Sequence, residues 1–574
     1  MAADSLQLFQ KIEKEIQLDR MVRHVEQIGH WHRYTGTPQG EAFVDDLTGR
    51  LSSLGIPWTV EEYEALTSLP QSACLTLESG EDLRLIGDVY CAEAEALRCE
   101  LIYDADSRRK NLSAHEELAR FASFRGKLVL SHASGGEFAE KVFQAGGKGL
   151  IHISSSPGGY IHHSNISAVW GTPCRSSPCF LECIPSAGIS LEDGEALIRK
   201  LEAGRLFASL SVKMDCQVRR SRMPIVDIPG RQKTFVLLNG HYDSWYEGIT
   251  DNAGSDAILL ELAQALWKHR RHLERGVRIA WWSGHSDARY AGSAWYCDQH
   301  WAELNERCVA SVNLDLTGCK LAKQIRTRTT CMEGERLTAD LIREFTGMTA
   351  KSYIPMIRGG DQSFWGARIP ISIMFKYEPL DEERVSPCPS GGPWWHTDQD
   401  TLDKLDPAIL LRDAKINGKL VCLLANSRAL PVELAAYTEK MEEFLETIQA
   451  ELSEEFSLTA VLNAVRALRP WCQRLDRLLT QSRVSDCDEI CKRIAGELTR
   501  LTYSAGSPYQ QDPSTPYPPF GILAKAAHVR RDNTPAALLV FQKTEFQRAC
   551  NRLCGQLGEL QREARQYLDA HKEN

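Results

Sequence analysis

Nothing in these 574 residues approaches the run of about 18 apolar residues that a membrane-crossing helix needs. The opening stretch, MAADSLQLFQKIEKEIQLDRMVRHVEQIG, carries a charge every few positions and so lacks the apolar run of an export signal. No block of Lys and Arg stands out. A formal net charge of -9 and an isoelectric point near 6.0 argue against nucleic acid as the main partner. No internal repeat is visible. These absences together lead to the expectation of a cytoplasmic protein that engages neither membrane nor nucleic acid.

What is present is ordinary globular material, 43% hydrophobic and 25% charged, in a chain too long for one core, so roughly two to four domains are expected. Cysteine is plentiful, at 18 residues. In a large chain without an export signal these are expected to stay thiols. Cys487/Cys491 and Cys550/Cys554 would each share a helix face, as small buried residues or as a metal clip. Under the same expectation the sequons at Asn111 and Asn165 carry no weight.

The hydropathy pattern divides the chain. Residues 5–28 read as an amphipathic helix, and 33–56 as a loop followed by a second helix. From about 60 to 215 the pattern is short strands between Gly- and Pro-rich turns. From 235 onward strand, loop and helix alternate: FVLLNGH, SDAILLELAQALWKH, GVRIAWWSG, RYAGSAWYCDQHWAEL, VASVNLDLTG. Nearly continuous apolar strands in that alternation predict an α/β fold, a mostly parallel sheet with helices on both faces. After Pro431 the chain reads as helical, interrupted by the Pro-rich stretch SAGSPYQQDPSTPYPPFG.

In such sheets functional groups sit just past the carboxyl ends of the strands. FVLLNG runs into His241 and Asp243, and Asp251-Asn252 follow ten residues after the histidine. VASVNL runs into Asp315, and WWHTDQDTLDKLD presents His396. Each residue alone has a bland reading: a structural histidine, a turn-capping aspartate, a DNAG turn. Together, two imidazoles and two carboxylates form a donor set suited to zinc. Asp243, two residues beyond His241, is placed to orient that imidazole.

The order of GHYDSW, DNAG, WWSG…AGSAWY, SVNLDLTG and WWHTDQDT resembles the M28 co-catalytic zinc peptidases, particularly the glutamate carboxypeptidase II and transferrin receptor branch. The region 126–200 resembles the protease-associated (PA) domain inserted in that branch. The resemblance implies four segments: 1–62, the N-terminal part of the catalytic domain; 63–218, a β-rich PA-like insert; 219–430, the rest of the catalytic domain; and 431–574, a helical domain of the kind used for dimerisation. It implies two divalent ions, zinc first. His241 and Asp315 would bind one and His396 the other, with Asp251 bridging, Asp243 orienting His241 and Asn252 flanking the bridge. It also implies a homodimer and a small peptide or amide substrate.

The departure lies in WWSGHSDARYAGS (281–293). The family has adjacent glutamates there, a general base followed by a metal ligand. Counting forward from Trp282 puts His285 and Ser286 in those places, whereas counting back from Gly292 puts Ser286 and Asp287 there. A serine hydroxyl is a poor zinc donor, so Asp287 is expected as the fifth ligand and His285 as the proton shuttle. The reverse assignment, and His285 as a ligand beside Asp287, stay open. For substrate, the expectations are Arg358 against a carboxylate and Asp361 at the cleft wall. Trp245, Tyr246 and Trp395 would form an apolar pocket, with His162, His163 and Trp170 as a lid. The functional expectation is hydrolysis of a peptide or N-acyl amide bond. The alternative from another class is a noncatalytic receptor or scaffold on a peptidase-like fold.

Overall fold

The computed structural model describes residues 2–109, 112–175, 181, 183–349, 353–384, 391–479, 483–513 and 519–571. The sequon at Asn111 and residues 514–518 of the Pro-rich stretch lie outside the described residues. The framework is one sheet of 13 strands. Its first part comprises β1 (Thr59–Leu77), β2 (Asp82–Gly87), β3 (Ala94–Tyr103), β4 (Leu128–Ser131), β5 (Gly149–Ile153), β6 (Ser186–Ile189) and β7 (Leu206–Ile228). Its second part comprises β8 (Phe235–His241), β9 (Gly276–Trp282), β10 (Cys308–Asn313), β11 (Gln324–Thr329), β12 (Tyr353–Pro355) and β13 (Ile371–Glu378).

In the second part β9, β8, β10 and β13 lie side by side, all parallel. β8, β9 and β10 are buried from end to end, which requires cover on both faces. The strand alternation delivers it. Val236 and Leu238 join one core with the helices Gly254–His269 and Pro407–Asn426. Phe235 and Leu237 join another with the helix Ala291–Gln299. The predicted mixed sheet with helices on both faces is therefore the observed one.

β1 and β7 pair antiparallel from Thr59–Ile225 to Leu77–Ala208, with a register shift between Pro70 and Ser72. The expected segment borders at 62/63 and 218/219 fall inside these two strands, so one sheet passes through both. The insert has its own core, around Leu128, Leu130, Ile151 and Leu210. It is less purely β than expected. β3, β4, β5 and β6 run parallel, and the helices Ala114–Ala122, Gly136–Gln144 and Leu191–Ala203 alternate with them. Glycines flanking these short helices read as turns in the sequence. The caps were the better signal: Ser113 and Glu116 form a capping box, and Ser190 accepts from the amide of Asp193.

The predicted helix over 5–28 is two helices, Ala2–Glu15 and Leu18–Ile28. Buried Glu261 causes the break. Its carboxylate takes the amide of Gln17 (2.6 Å) and the guanidinium of Arg20 (2.7 and 2.8 Å). Past residue 431 the described chain is helical, ending in the long helix Ala536–Ala570. Cys487, Cys491 and Cys550 are buried thiols there. Among the described residues no helix is long and apolar enough to cross a membrane.

Two buried cations join the helical region to the sheet. Arg275, preceding β9, meets Asp488 at 2.6 Å with both side chains buried. Lys492 donates to the carbonyls of Leu304, Cys308, Ala367 and Arg368 at 2.8–3.2 Å. Burial pushes the Lys492 ammonium down to about 7. Removing one partner of a buried ion pair strands the other charge. Asp488→Ala is therefore expected to cost about 3–5 kcal/mol, read as a fall in the urea midpoint of unfolding.

Candidate metal centre

The cluster forms where the parallel strands stop. β8 ends on His241, and the chain then loops through Asp243 to a tight turn, Ile249–Ala253, that carries Asp251. β9 is followed by His285, and β10 by Asp315. His396 arrives on the loop before the helix Pro407–Asn426. Fully buried Arg33 fixes the first loop by donating to the carbonyls of Tyr242, Glu247 and Gly248 at 2.7–3.0 Å. Asp400 fixes the second by accepting from the amides of Thr250 and Asp251. Asn252 ties the strand ends together, donating to the carbonyls of His241 and Leu314.

Asp251 lies between the two imidazoles. Its Oδ1 is 3.2 Å from His241 Nε2 and its Oδ2 is 3.2 Å from His396 Nε2. Asp315 Oδ1 is 3.6 Å from the same His241 nitrogen. The Nδ1 of His241 donates to the Asp243 carbonyl and that of His396 to the His163 carbonyl, both at 2.9 Å. A carbonyl only accepts, so each Nδ1 carries the hydrogen and each Nε2 keeps its lone pair for the cluster.

Whether these residues fit a metal ion is decided by their unused atoms. His241 Nε2, Asp251 Oδ1 and Asp315 Oδ1 are all buried without a hydrogen-bond partner. Orphaned buried polar atoms are rare because each costs free energy. Three of them, one nitrogen and two carboxylate oxygens, converge on one spot. That is the donor chemistry of a zinc-type site. They fit.

The structure separates the remaining site expectations. His285 comes to the cleft, its ring stacked on His241 at 3.8 Å between centroids and 14° between planes. Asp287 does not. Its buried Oδ2 accepts from the amide of Thr35 at 3.0 Å, on the far side of the turn from the cleft. Burial first, and the nearby Asp243 charge second, raise its carboxyl to about 7. Asp287 was expected as the fifth ligand; here its Oδ2 bonds the Thr35 amide, it does not line the cleft, and its Oδ1 is buried without a hydrogen-bond partner.

Asp243 does orient His241, but with its backbone carbonyl. Its carboxylate is 3.9 Å from that ring and instead accepts the amides of His285 and Ser286, each at 3.0 Å. Asp361, expected near substrate, accepts from His285 Nδ1 and from Ser293 Oγ at 2.8 Å each. Arg358 does not reach the cleft. It sits between the rings of Trp170 and Trp365 and bonds Gln511, with Asp512 3.8 Å away. Aromatic neighbours and an acidic loop, both distant in sequence, claim it for packing.

A cleft of about 360 Å³ opens onto the cluster. Trp245 and Trp395 line it, the latter stacked on His396 at 3.4 Å. Tyr246 sits behind this wall with its hydroxyl 3.1 Å from His163 Nε2. His163 stacks on Trp245 at 4.1 Å and Trp170 on Tyr290 at 3.9 Å, so the insert builds one side of the cleft.

Sequence reasoning missed three cations that line the cleft, Arg289, Arg328 and Lys376. Lys376 is 3.0 Å from Glu378. Arg328 makes no ion pair among the described residues, and its Nε is buried without a hydrogen-bond partner. The signal was the alternation QIRTRT on β11, which sets Arg326 and Arg328 on one face.

Comparison with known proteins agrees with this architecture. Residues 225–421 match the model of peptidase family M28. The chain is 22% identical over 519 residues to a probable glutamate carboxypeptidase VP8 of Zea mays, covering 75% of this chain and 70% of that protein. It is 27% identical over 244 residues to leucine aminopeptidase 2 of Trichophyton equinum, covering 42% of this chain and 44% of the relative. The chain thus spans under half the length of that fungal relative. The fold is shared with an aminopeptidase from Aneurinibacillus sp. strain AM-1 (TM-score 0.56, 21% identity, 74% of this chain and 97% of that one). It is likewise shared with a peptidase M28 precursor from Shewanella amazonensis SB2B (TM-score 0.57, 18% identity, 74% and 97%). Residues 225–421, the stretch that matches the peptidase family M28 model, carry the whole His241–Asp251–Asp315–His396 cluster.

Proposed function

We propose that the protein is a metal-dependent hydrolase of peptide or peptide-like amide bonds, an exopeptidase or amidohydrolase, with divalent ions of zinc type held by His241, Asp251, Asp315 and His396. The observation that carries the reading is the convergence of three unpartnered buried donors beside a carboxylate set between two imidazoles. The relatives' names, aminopeptidase and carboxypeptidase, support the same reaction class. When bound, divalent ions supply Lewis acidity toward the scissile carbonyl and a more acidic water.

The chain's own residues then move the proton. Asp361 accepts from His285 Nδ1, which leaves the lone pair on Nε2, and His285 lines the cleft. That nitrogen takes a proton from the attacking water as the C–O bond forms. It returns the proton to the departing amine as the C–N bond breaks. Ser293 and Ser363 keep Asp361 in place, 2.8 Å from each other, and Trp170 Nε1 donates to Ser363 Oγ at 2.8 Å. His285 thus serves where the family places a glutamate base. In the cleft lining Arg328 is suited to a carboxylate on the substrate, because its buried Nε has no hydrogen-bond partner and a guanidinium matches a carboxylate bidentately. Cytoplasmic location and a homodimer built through the helical region belong to the same reading; sedimentation at about twice the 64.4 kDa chain mass checks the dimer.

A metal-replete screen of aminoacyl, N-acyl and carboxy-terminal amide substrates tests the activity, with no turnover on any of them counting against it. His285→Ala is expected to lower kcat by about 10²–10⁴-fold while metal content, read by plasma mass spectrometry, stays unchanged. Asp287→Asn should retain metal and turnover, and metal loss in that variant would restore Asp287 as a ligand. Arg328→Met should raise KM for carboxylate-bearing substrates about tenfold or more, since a charge-assisted hydrogen bond contributes about 1.5–3 kcal/mol.

A further inference from the structure

We propose that the two halves of the cluster are unequal metal seats: the His241 side holds a resident ion, and the His396 side is a half-built seat filled only as free metal rises. This rests on the hydrolase reading above and concerns how its site is loaded.

Asp251 itself is even-handed, with one oxygen 3.2 Å from each Nε2. The asymmetry comes from the other donors. On the His241 side Asp315 Oδ1 is 3.6 Å from the same nitrogen. Donor atoms of His241, His285 and Asp315 all lie within 4.8 Å of one another. Two carboxylates and an imidazole already give that side three protein ligands. His285 is not needed as a fourth. Its ring is nearly parallel to that of His241, and the in-plane lone pairs of stacked imidazoles do not converge on one point.

The His396 side has Asp251 and nothing comparable. His396 is in no group of three His, Cys, Asp or Glu donors within such reach among the described residues. The neighbouring side chains make other contacts. Asp287 gives its Oδ2 to the Thr35 amide, while its Oδ1 is buried without a hydrogen-bond partner. The Asp400 carboxylate holds the amides and hydroxyl of the Thr250–Asp251 turn. His162 pairs through Nε2 with the Pro393 carbonyl, and His163 lies flat on Trp245. Ser286, which faces the cleft, offers only a hydroxyl. Structural zinc seats take four donors and catalytic ones at least three from the protein. Two protein donors leave the seat short.

The test is zinc titration of the chelator-stripped full-length protein by calorimetry, with metal counted by mass spectrometry after dialysis. The expected result is one ion per chain retained through dialysis, and a second binding event weaker by ~100-fold or more, since losing even an outer-shell partner costs about 10–100-fold. His396→Ala should remove only the weak event and His241→Ala the tight one. Ser286→Glu, which returns a carboxylate to the half-built side, should bring the retained count to two. Two ions retained with equal affinity by the unaltered protein would overturn the inequality and leave the hydrolase reading standing. No ion bound at any zinc concentration would overturn the hydrolase reading itself. The titration of the unaltered protein decides the matter even if a variant fails to fold.

Discussion

The arrangement depends on one carboxylate, Asp251, shared between two imidazoles that face it from separate strand ends. Placing several acids together in a buried cleft is costly unless positive charge or hydrogen bonds answer them. Here the answers come from fixed positions. Asp400 holds the Asp251 turn through its amides, and burial raises the Asp400 carboxyl itself to about 7. Arg33 supplies a buried cation beneath the loop that leads there, pinned by the backbone it supports. The ligand set is therefore held by framework that does not itself touch the cluster.

A second layer sets which side chain faces the cleft after β9. Asp243 accepts the amides of His285 and Ser286, so the turn after β9 is wound around an acid. Gly284 opens that turn at φ +72°, and a Cβ there would come within 2.8 Å of the Tyr63 hydroxyl from β1. Only glycine meets both conditions. Wound this way, the turn presents His285 outward and folds Asp287 inward. Other residues of the cleft loops, among them Tyr246, Tyr290, Leu316, Asp361 and His396, also have positive φ. Such strain is tolerated where surrounding packing over-determines the backbone. Trp170 reaches Ser363, which bonds Ser293 beside Asp361, and Asp512 lies 3.8 Å from Arg358, so distant parts of the chain meet around the cleft.

The order of strands, helices and metal-type residues was legible because it is local. Apolar runs ending in His241, Asp251 and Asp315 state where strands stop, and a parallel sheet brings strand ends to one edge. The same logic failed for Arg358, which follows a suitable motif but is claimed by two tryptophans. It did not fix the direction of Asp287, because the turn after β9 is wound by contacts with Asp243 and Thr35, which are distant in sequence. The cleft cations were missed because Arg328 and Lys376 lie on different strands, and only pairing through β13 brings them together.

By itself, then, the sequence determined the alternation of the sheet, the donor types and their places at strand ends, since these follow from residue period and chemistry along the chain. Tertiary structure alone decided that His285 rather than Asp287 lines the cleft, that Asp361 bonds its Nδ1, and that Asp315 joins Asp251 beside His241 but not beside His396. Those outcomes turn on hydrogen bonds between segments up to 250 residues apart, such as Thr35 with Asp287, which no local pattern encodes.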